Sequence, residues 1–346
     1  MSSVWRFAGG FRQCRNFVTC LFAHALVACG TGQDNAADPV KPSLAVVVYA
    51  AIDEAVIRPI FELYTEQTEI RVFYVRDAHE TLIRSIVDKS RSQPADLFIG
   101  GDIANLWFAA EEGVFRPTRS KFLDAAVPQL LRDPERQWFA LTIRPRHIFY
   151  RADVVNAAEL STYAALGDPR WQGRLCLSSS AQAGNRSLIA NLITQQGEGA
   201  AEMTVRGWVS NLAMPVYPDD DTLLRALAAG FCEVGIATVP DETAMREFDS
   251  DYLLAAFLPP AAAGGMHLDI TGAGVTRHAG NPDGARQLLE WLAAGDGQQL
   301  LADGIREMPL ASLDRAGEFV GSPLNLADFG YRGQDAIDLA ERAHYP

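Results

Sequence analysis

Short catalytic signatures are missing from this chain of 346 residues. It has no HExxH, no P-loop, no GxSxG and no Rossmann glycine pattern, which weakens an enzymatic reading. Positive charge is also scarce. Thirty Lys and Arg face 43 Asp and Glu, for a formal net charge of −13. That balance argues against a nucleic-acid or anionic-membrane partner held by charge. Only five cysteines occur, with no CxxC and no Cys/His spacing of a zinc site. His79, His147, His267 and His278 likewise lack ligand spacing among themselves.

The N-terminus holds a basic region, Arg6, Arg12 and Arg15, with no acidic residue before Cys29. It is followed by "FVTCLFAHALVA" (17–28), too short to span a bilayer but suited to a signal-peptide core. The run ends in Leu26-Val27-Ala28-Cys29, which resembles a bacterial lipobox with Cys29 as the lipidated first residue. A plainly cleaved signal is the alternative. Residues 1–28 are therefore expected as a signal peptide. The polar stretch "GTGQDNAADPVKPS" follows, making 29–43 a lipidated tether. Cys14 and Cys20 fall within the signal. An exported chain left with Cys176 and Cys232 invites one disulfide, two separate buried thiols being the alternative.

Beyond the tether, strand and helix patterns alternate. "LAVVVYA" (44–50) reads as a strand buried on both faces. Val56, Ile57, Ile60, Phe61 and Tyr64 recur at helical spacing. "IRVFYV" (70–75) and "ADLFIG" (95–100) are further strands, with a helix around Leu82–Val87 between them. This predicts an α/β lobe with a mostly parallel sheet. After a break the alternation resumes with "RHIFYR", "RLCLSSS" (174–180) and "CEVGIAT" (232–238) as strands. "NRSLIANLI" opens a helix, and "DITGAGVT" (269–276) and "PDGARQLLEWLAA" (282–294) follow as strand and amphipathic helix. Two α/β lobes in an exported chain suggest a hinged binding protein with its site in a cleft, at strand C-termini and helix N-termini.

The stretches "PADLFIGGDIANLWFAAEEGVFRP", "LRDPERQWFALTIRPRHIFYRADVV", "ELSTYAALGDPRWQGRLCLSSS", "ITGAGVTRHAGNP" and "LNLADFG" resemble the bacterial periplasmic ferric-ion-binding proteins. These are transferrin-like solute-binding components of ABC importers with the type II periplasmic-binding-protein fold. The resemblance runs from about Leu44 to Pro346. It implies a first lobe of 44–141 plus 272–310, a second lobe of 142–271, and C-terminal helices (311–346) packed on the second. It further implies a monomer that delivers a metal ion, foremost iron(III), to a permease and ATPase.

The site residues follow from that resemblance with one departure. Where ferric binders carry adjacent tyrosines after the strand "CEVGIAT", this chain has Pro240, Asp241 and Glu242. Asp53 and Glu54 stand where the first strand of the family usually ends in histidine. Tyr150 keeps its phenol. The implied metal set is thus Asp53, Glu54, Tyr150, Asp241 and Glu242, hard oxygen donors that suit Fe(III) and also admit Fe(II), Mn(II) or Ca(II). Both acidic pairs also fall in first helical turns, where a dipole role suffices. Ser179, Ser180 and Asn185 are expected to cradle a synergistic anion, or Asn185 simply to cap a helix. Arg144 and Arg146, alternating with Tyr150 in "RPRHIFYR", suit an anion or an interlobe salt bridge to Asp53 or Asp241. Asp219–Asp221 read as a solvated helix start. Two other readings keep the fold: a small organic anion held by Arg144, Arg146, Ser179 and Ser180, or a ligand-sensing lipoprotein that transports nothing.

Overall fold

Apolar runs and amphipathic periods become alternating strands and helices in the computed structural model, which describes residues 45–88, 94–238, 253–260, 265–312 and 331–346. Cys29, the signal and the tether lie outside the described residues, as do Asp241 and Glu242. The first strand, β1 (Ala45–Ala50), passes into helix α1 (Glu54–Thr68), which turns Ile57, Ile60, Phe61 and Tyr64 inward. Then come β2 (Arg71–Arg76), α2 (His79–Val87), β3 (Leu97–Gly100), α3 (Ile103–Glu111) and the short α4 (Lys121–Ala126). Strand β3 is buried along its whole length, whereas β2 at the sheet edge alternates exposed and half-buried positions.

The chain next runs through β4 (Phe139–Pro145) and β5 (His147–Arg151). It continues with β6 (Leu175–Cys176), α5 (Ala183–Gln196), α6 (Glu198–Ser210), α7 (Asp220–Ala228) and β7 (Val234–Ala237). After β8 (Leu254–Phe257), the long β9 (Leu268–Val275) leads to α8 (Pro282–Leu292), α9 (Gly295–Ile305), β10 (Met308–Pro309) and finally α10 (Gly333–Arg342).

The strands form two sheets, β10-β4-β9-β3-β1-β2 and β6-β7-β5-β8. In the larger sheet, parallel pairing is confined to β2-β1-β3; β9, β4 and β10 enter antiparallel. The expected mostly parallel sheet is thus half realised. The antiparallel half comes from β4 and β9, which cross between the sheets in opposite senses. These strands also move the lobe boundaries. Residues 142–145 and 268–271 still pair in the larger sheet, with Pro145 opposite Leu268 as the last pair. Beyond it the chain changes sheets, because β5 pairs with β7 and β8.

A disulfide joins Cys176 on β6 to Cys232 just before β7, inside a small cluster with Phe149, Leu223 and Leu227. Helix α10 packs on α5 and α6, where Arg342 pairs with Glu198 and Glu202 at 2.5 and 3.0 Å. Behind it, the buried Tyr345 hydroxyl donates to Ser178 O at 2.6 Å.

Candidate functional site

The strand "RPRHIFYR" is interrupted at Arg146, so its two arginines do not share a face with Tyr150. Arg144 turns into the first lobe. Its guanidinium donates to Asp269 Oδ2 at 3.0 Å, Glu307 Oε1 at 3.1 Å and Gly101 O at 2.6 Å. Arg146 turns into the second lobe and is almost wholly buried. It donates to Asp220 Oδ2 at 2.6 Å, Asn185 Oδ1 at 2.5 Å and Ile236 O at 3.2 Å. Neither arginine takes Asp53 as its partner. Groups of the chain itself, carboxylates and carbonyl oxygens, occupy the guanidiniums that sequence reading gave to an anion or to a salt bridge with Asp53 or Asp241.

The electrostatics follow from this pairing. Burial disfavours the charged form of Arg144, but Glu307 and Asp269 outweigh it and raise its pKa. Burial pushes the Asp269 carboxyl up to about 6 against the pull of Arg144. Asp269 Oδ1 also accepts the amides of Ile103 and Ile270, tying β9 to the start of α3. His79 is held below its ordinary pKa, by burial first, and accepts the Gly101 amide at Nε2.

The other expected residues fall as follows. Asp53 caps α1, Oδ1 accepting from Ala55 N at 2.9 Å, and lies 3.5 Å from exposed Arg76. Glu54 pairs with Arg58 one turn on. Both acids therefore do what a helix start asks of them. Tyr150 stands opposite Val234 and Ala255 in the smaller sheet and packs, partly buried, against the main core. Among the described residues, no three His, Cys, Asp or Glu side chains gather as a metal cluster.

Asn185 is not a helix cap. It lies inside α5, buried, and its amide donates to Ser178 O, Ser178 Oγ and Ser179 O. The Ser180 amide donates to Pro346 O at 2.7 Å, and Ser179 Oγ accepts from Ala181 N at 3.2 Å. The expected anion cradle is thus bonded within the chain at these groups. Gly184 explains how Arg146 reaches it: a Cβ there would come within 2.9 Å of Arg146 Nη1. Asp220, read as a solvated helix start, accepts from Arg146, from Ser178 Oγ at 2.7 Å and from Thr238 N at 2.9 Å.

A cleft of about 470 Å³ opens between α2 and α3 of the first lobe and α5 and α10 of the second. Asp102 and Asn105 from α3 and its cap, and Arg186 and Ser187 from α5, supply polar groups. Trp107 and Tyr331 supply aromatic faces, and Arg84 adds a second cation. None of these was picked out from sequence. The usable signal was "GGDIAN", glycines and a capping Asp directly after a fully buried strand, which places a helix N-terminus at a strand's C-terminal end.

Comparison with known proteins agrees with this architecture. A model of the bacterial extracellular solute-binding proteins matches residues 45–304. Iron uptake protein A2 of Synechocystis sp. is 34% identical over 275 residues, covering 75% of this chain and 80% of the relative. Iron uptake protein A1 of the same organism is 29% identical over 334 residues, covering 93% and 90%. Among solved structures, Trichodesmium FutA (IdiA) in complex with iron and citrate ligands is 30% identical. It superposes with a TM-score of 0.76 over 87% of this chain and 100% of its own. On its two sheets joined by crossing strands, its interlobe cleft and these matches, the chain belongs to the bacterial extracellular solute-binding protein family.

Proposed function

We propose that the chain is the extracytoplasmic binding component of an ABC importer, taking iron into the interlobe cleft and handing it to a permease and its ATPase. The observation that carries this is the shared fold and 30% identity with a protein whose structure holds iron and citrate, supported by relatives named for iron uptake. A signal peptide of residues 1–28, with Cys29 as the lipidated first residue after it, fits a periplasmic chain held to the membrane by lipid, and the family fits a monomer. A transport role, rather than catalysis, fits the family.

Hard oxygen donors are the proposed ligands: Asp53, Glu54, Tyr150, Asp241 and Glu242, with carboxylates admitting a divalent metal as well as Fe(III); of these, Asp53, Glu54 and Tyr150 are not among the residues that line the cleft of about 470 Å³. A cleft of about 470 Å³ is of the size that takes a small organic molecule rather than a bare ion. Arg84 and Arg186 at its walls offer an anion two guanidinium groups, with Glu80, 4.0 Å from Arg84, and Asp102 lining the same cavity. This cavity therefore suits an organic anion rather than the metal itself. A small organic anion alone is the second reading, resting on the same two arginines.

Metal analysis of protein purified without chelator, with an absorption spectrum, tests the proposal. Bound iron with a phenolate-to-iron band supports Tyr150 as a ligand. Bound iron without the band leaves the carboxylates and removes Tyr150. A metal-free chain that also gains no iron on incubation with Fe(III)-citrate overturns the iron reading.

A further inference from the structure

Arg144 and Arg146 both bind carboxylates of the chain, whereas a third arginine does not. Among the described residues, the half-buried side chain of Arg186 on α5 has neither an ion pair nor a hydrogen bond. It stands at the wall of the cavity of about 470 Å³. A guanidinium in that position can meet a carboxylate with two parallel N–H bonds. The acids of the same cavity are already engaged. Asp102 Oδ1 accepts the Asn105 amide at 2.7 Å, and Oδ2 accepts Asn105 Nδ2 at 2.7 Å. Glu80 lies 4.0 Å from Arg84, and both of those side chains are mostly exposed. Arg186 is thus the charge that a ligand in this cavity would neutralise.

The walls say what body the anion has. On α5, Ala183 and Ala190 flank Arg186 at helical spacing, so all three lie on one face. On α3, Ala104 precedes Trp107 by three residues and shares its face. Gly333 of α10 adds a third small residue to the walls, where a Cβ would sit 3.6 Å from that of Ala104. Small residues from three helices leave the space, and Trp107 and Arg186 reach its boundary. The Trp107 indole is partly buried and meets the Tyr331 ring edge-on, with centroids 6.4 Å apart. A ring held by another ring is a fixed apolar surface, against which a flat aromatic body packs better than a puckered one.

We infer that this cavity binds an aromatic carboxylate, with its carboxylate on Arg186 and its ring against Trp107. The site stands apart from Asp53, Glu54 and Tyr150, none of which lines the cavity. The inference rests on the anion reading of this cavity given above and does not depend on iron capture. Arg186 sets the charge of the ligand, and Trp107 sets its preference for a flat ring over a saturated one.

Calorimetric titration of the metal-free full-length chain with naphthoate tests this. The comparison ligands are its fully saturated counterpart, naphthylmethylamine and citrate. Naphthoate is expected to saturate at one equivalent and to bind roughly fivefold tighter than the saturated acid, with no binding of the amine. Arg186→Gln is expected to weaken naphthoate by roughly tenfold or more. Trp107→Leu is expected to erase the preference over the saturated acid. Circular dichroism checks the fold of each variant. If Trp107→Leu does not fold, Ala183→Leu, which narrows the cavity from the half-buried start of α5, is expected to weaken both acids. No binding of naphthoate, binding that Arg186→Gln leaves unchanged, equal affinity for the saturated acid, or tighter binding of the amine would each overturn the inference. Citrate that binds through Arg186 while naphthoate does not would overturn the aromatic ligand and leave the anion reading standing. If neither naphthoate nor citrate binds, both fall, and metal analysis still reads iron capture separately.

Discussion

Asp269 stands opposite Arg144 in the register of β9 on β4, and their side chains meet at 3.0 Å with the carboxylate fully buried. This cross-strand pair lies one residue from the lobe crossing and carries Glu307 as a second partner. Removing one member of a buried ion pair leaves the other charge without compensation. Asp269→Ala is therefore expected to destabilise the chain by roughly 3–5 kcal/mol. Urea unfolding followed by circular dichroism measures it, and a loss below about 1 kcal/mol would show that Glu307 alone satisfies Arg144.

Reduction of the disulfide should act mainly on the unfolded chain. Cys176 and Cys232 are 56 residues apart, a loop whose closure entropy is about 4 kcal/mol in the chain-entropy model. Unfolding with and without reductant is expected to differ by roughly that amount. The larger sheet contains neither cysteine, so its amide protection is expected to change least.

Acid should weaken the fold before most carboxylates, Asp269 excepted, are protonated. Burial, and then Arg146 nearby, hold His267 down at about 3. Burial likewise lowers His147 to about 4. Unfolded, both histidines titrate near 6.5, so the unfolded chain binds more protons between those values. Their contribution is complete above about pH 6.5 and is lost as pH falls toward 4, roughly 3 kcal/mol for His147 alone. Asp269, raised to about 6, works in the opposite sense between pH 4 and 6 and offsets part of the slope. Stability measured from pH 7.5 to 4.5 is expected to fall, and His147→Phe is expected to flatten the curve.

These contacts also mark where sequence reading stops. The strands "LAVVVYA" and "ADLFIG" and the helices starting near Glu54 and Pro282 were legible, because burial on two faces and helical periodicity leave plain patterns. Asp269 offered a clue of its own, a charge inside an otherwise apolar strand. Its partner lies 125 residues away, however, and Glu307 lies 163 residues from Arg144. No local rule supplies such pairings. Asp220 was hidden differently: of three adjacent acids, only the geometry of α7 decides which one turns toward Arg146. The strand around Arg146 misled because an alternation of arginines and tyrosine looks the same whether or not the strand is interrupted. The acids at the start of α1 could be read as helix-start residues or as ligands, and the fold displays a capping bond for Asp53 and an ion pair with Arg58 for Glu54.

Capture of iron is the central claim, and calorimetric titration of the metal-free chain tests it most directly. Fe(III)-citrate is the titrant, and citrate alone is the control. The expected result is saturable heat at one equivalent with Fe(III)-citrate and a much weaker response to citrate. Equal heats from both titrants, or none from either, would contradict it.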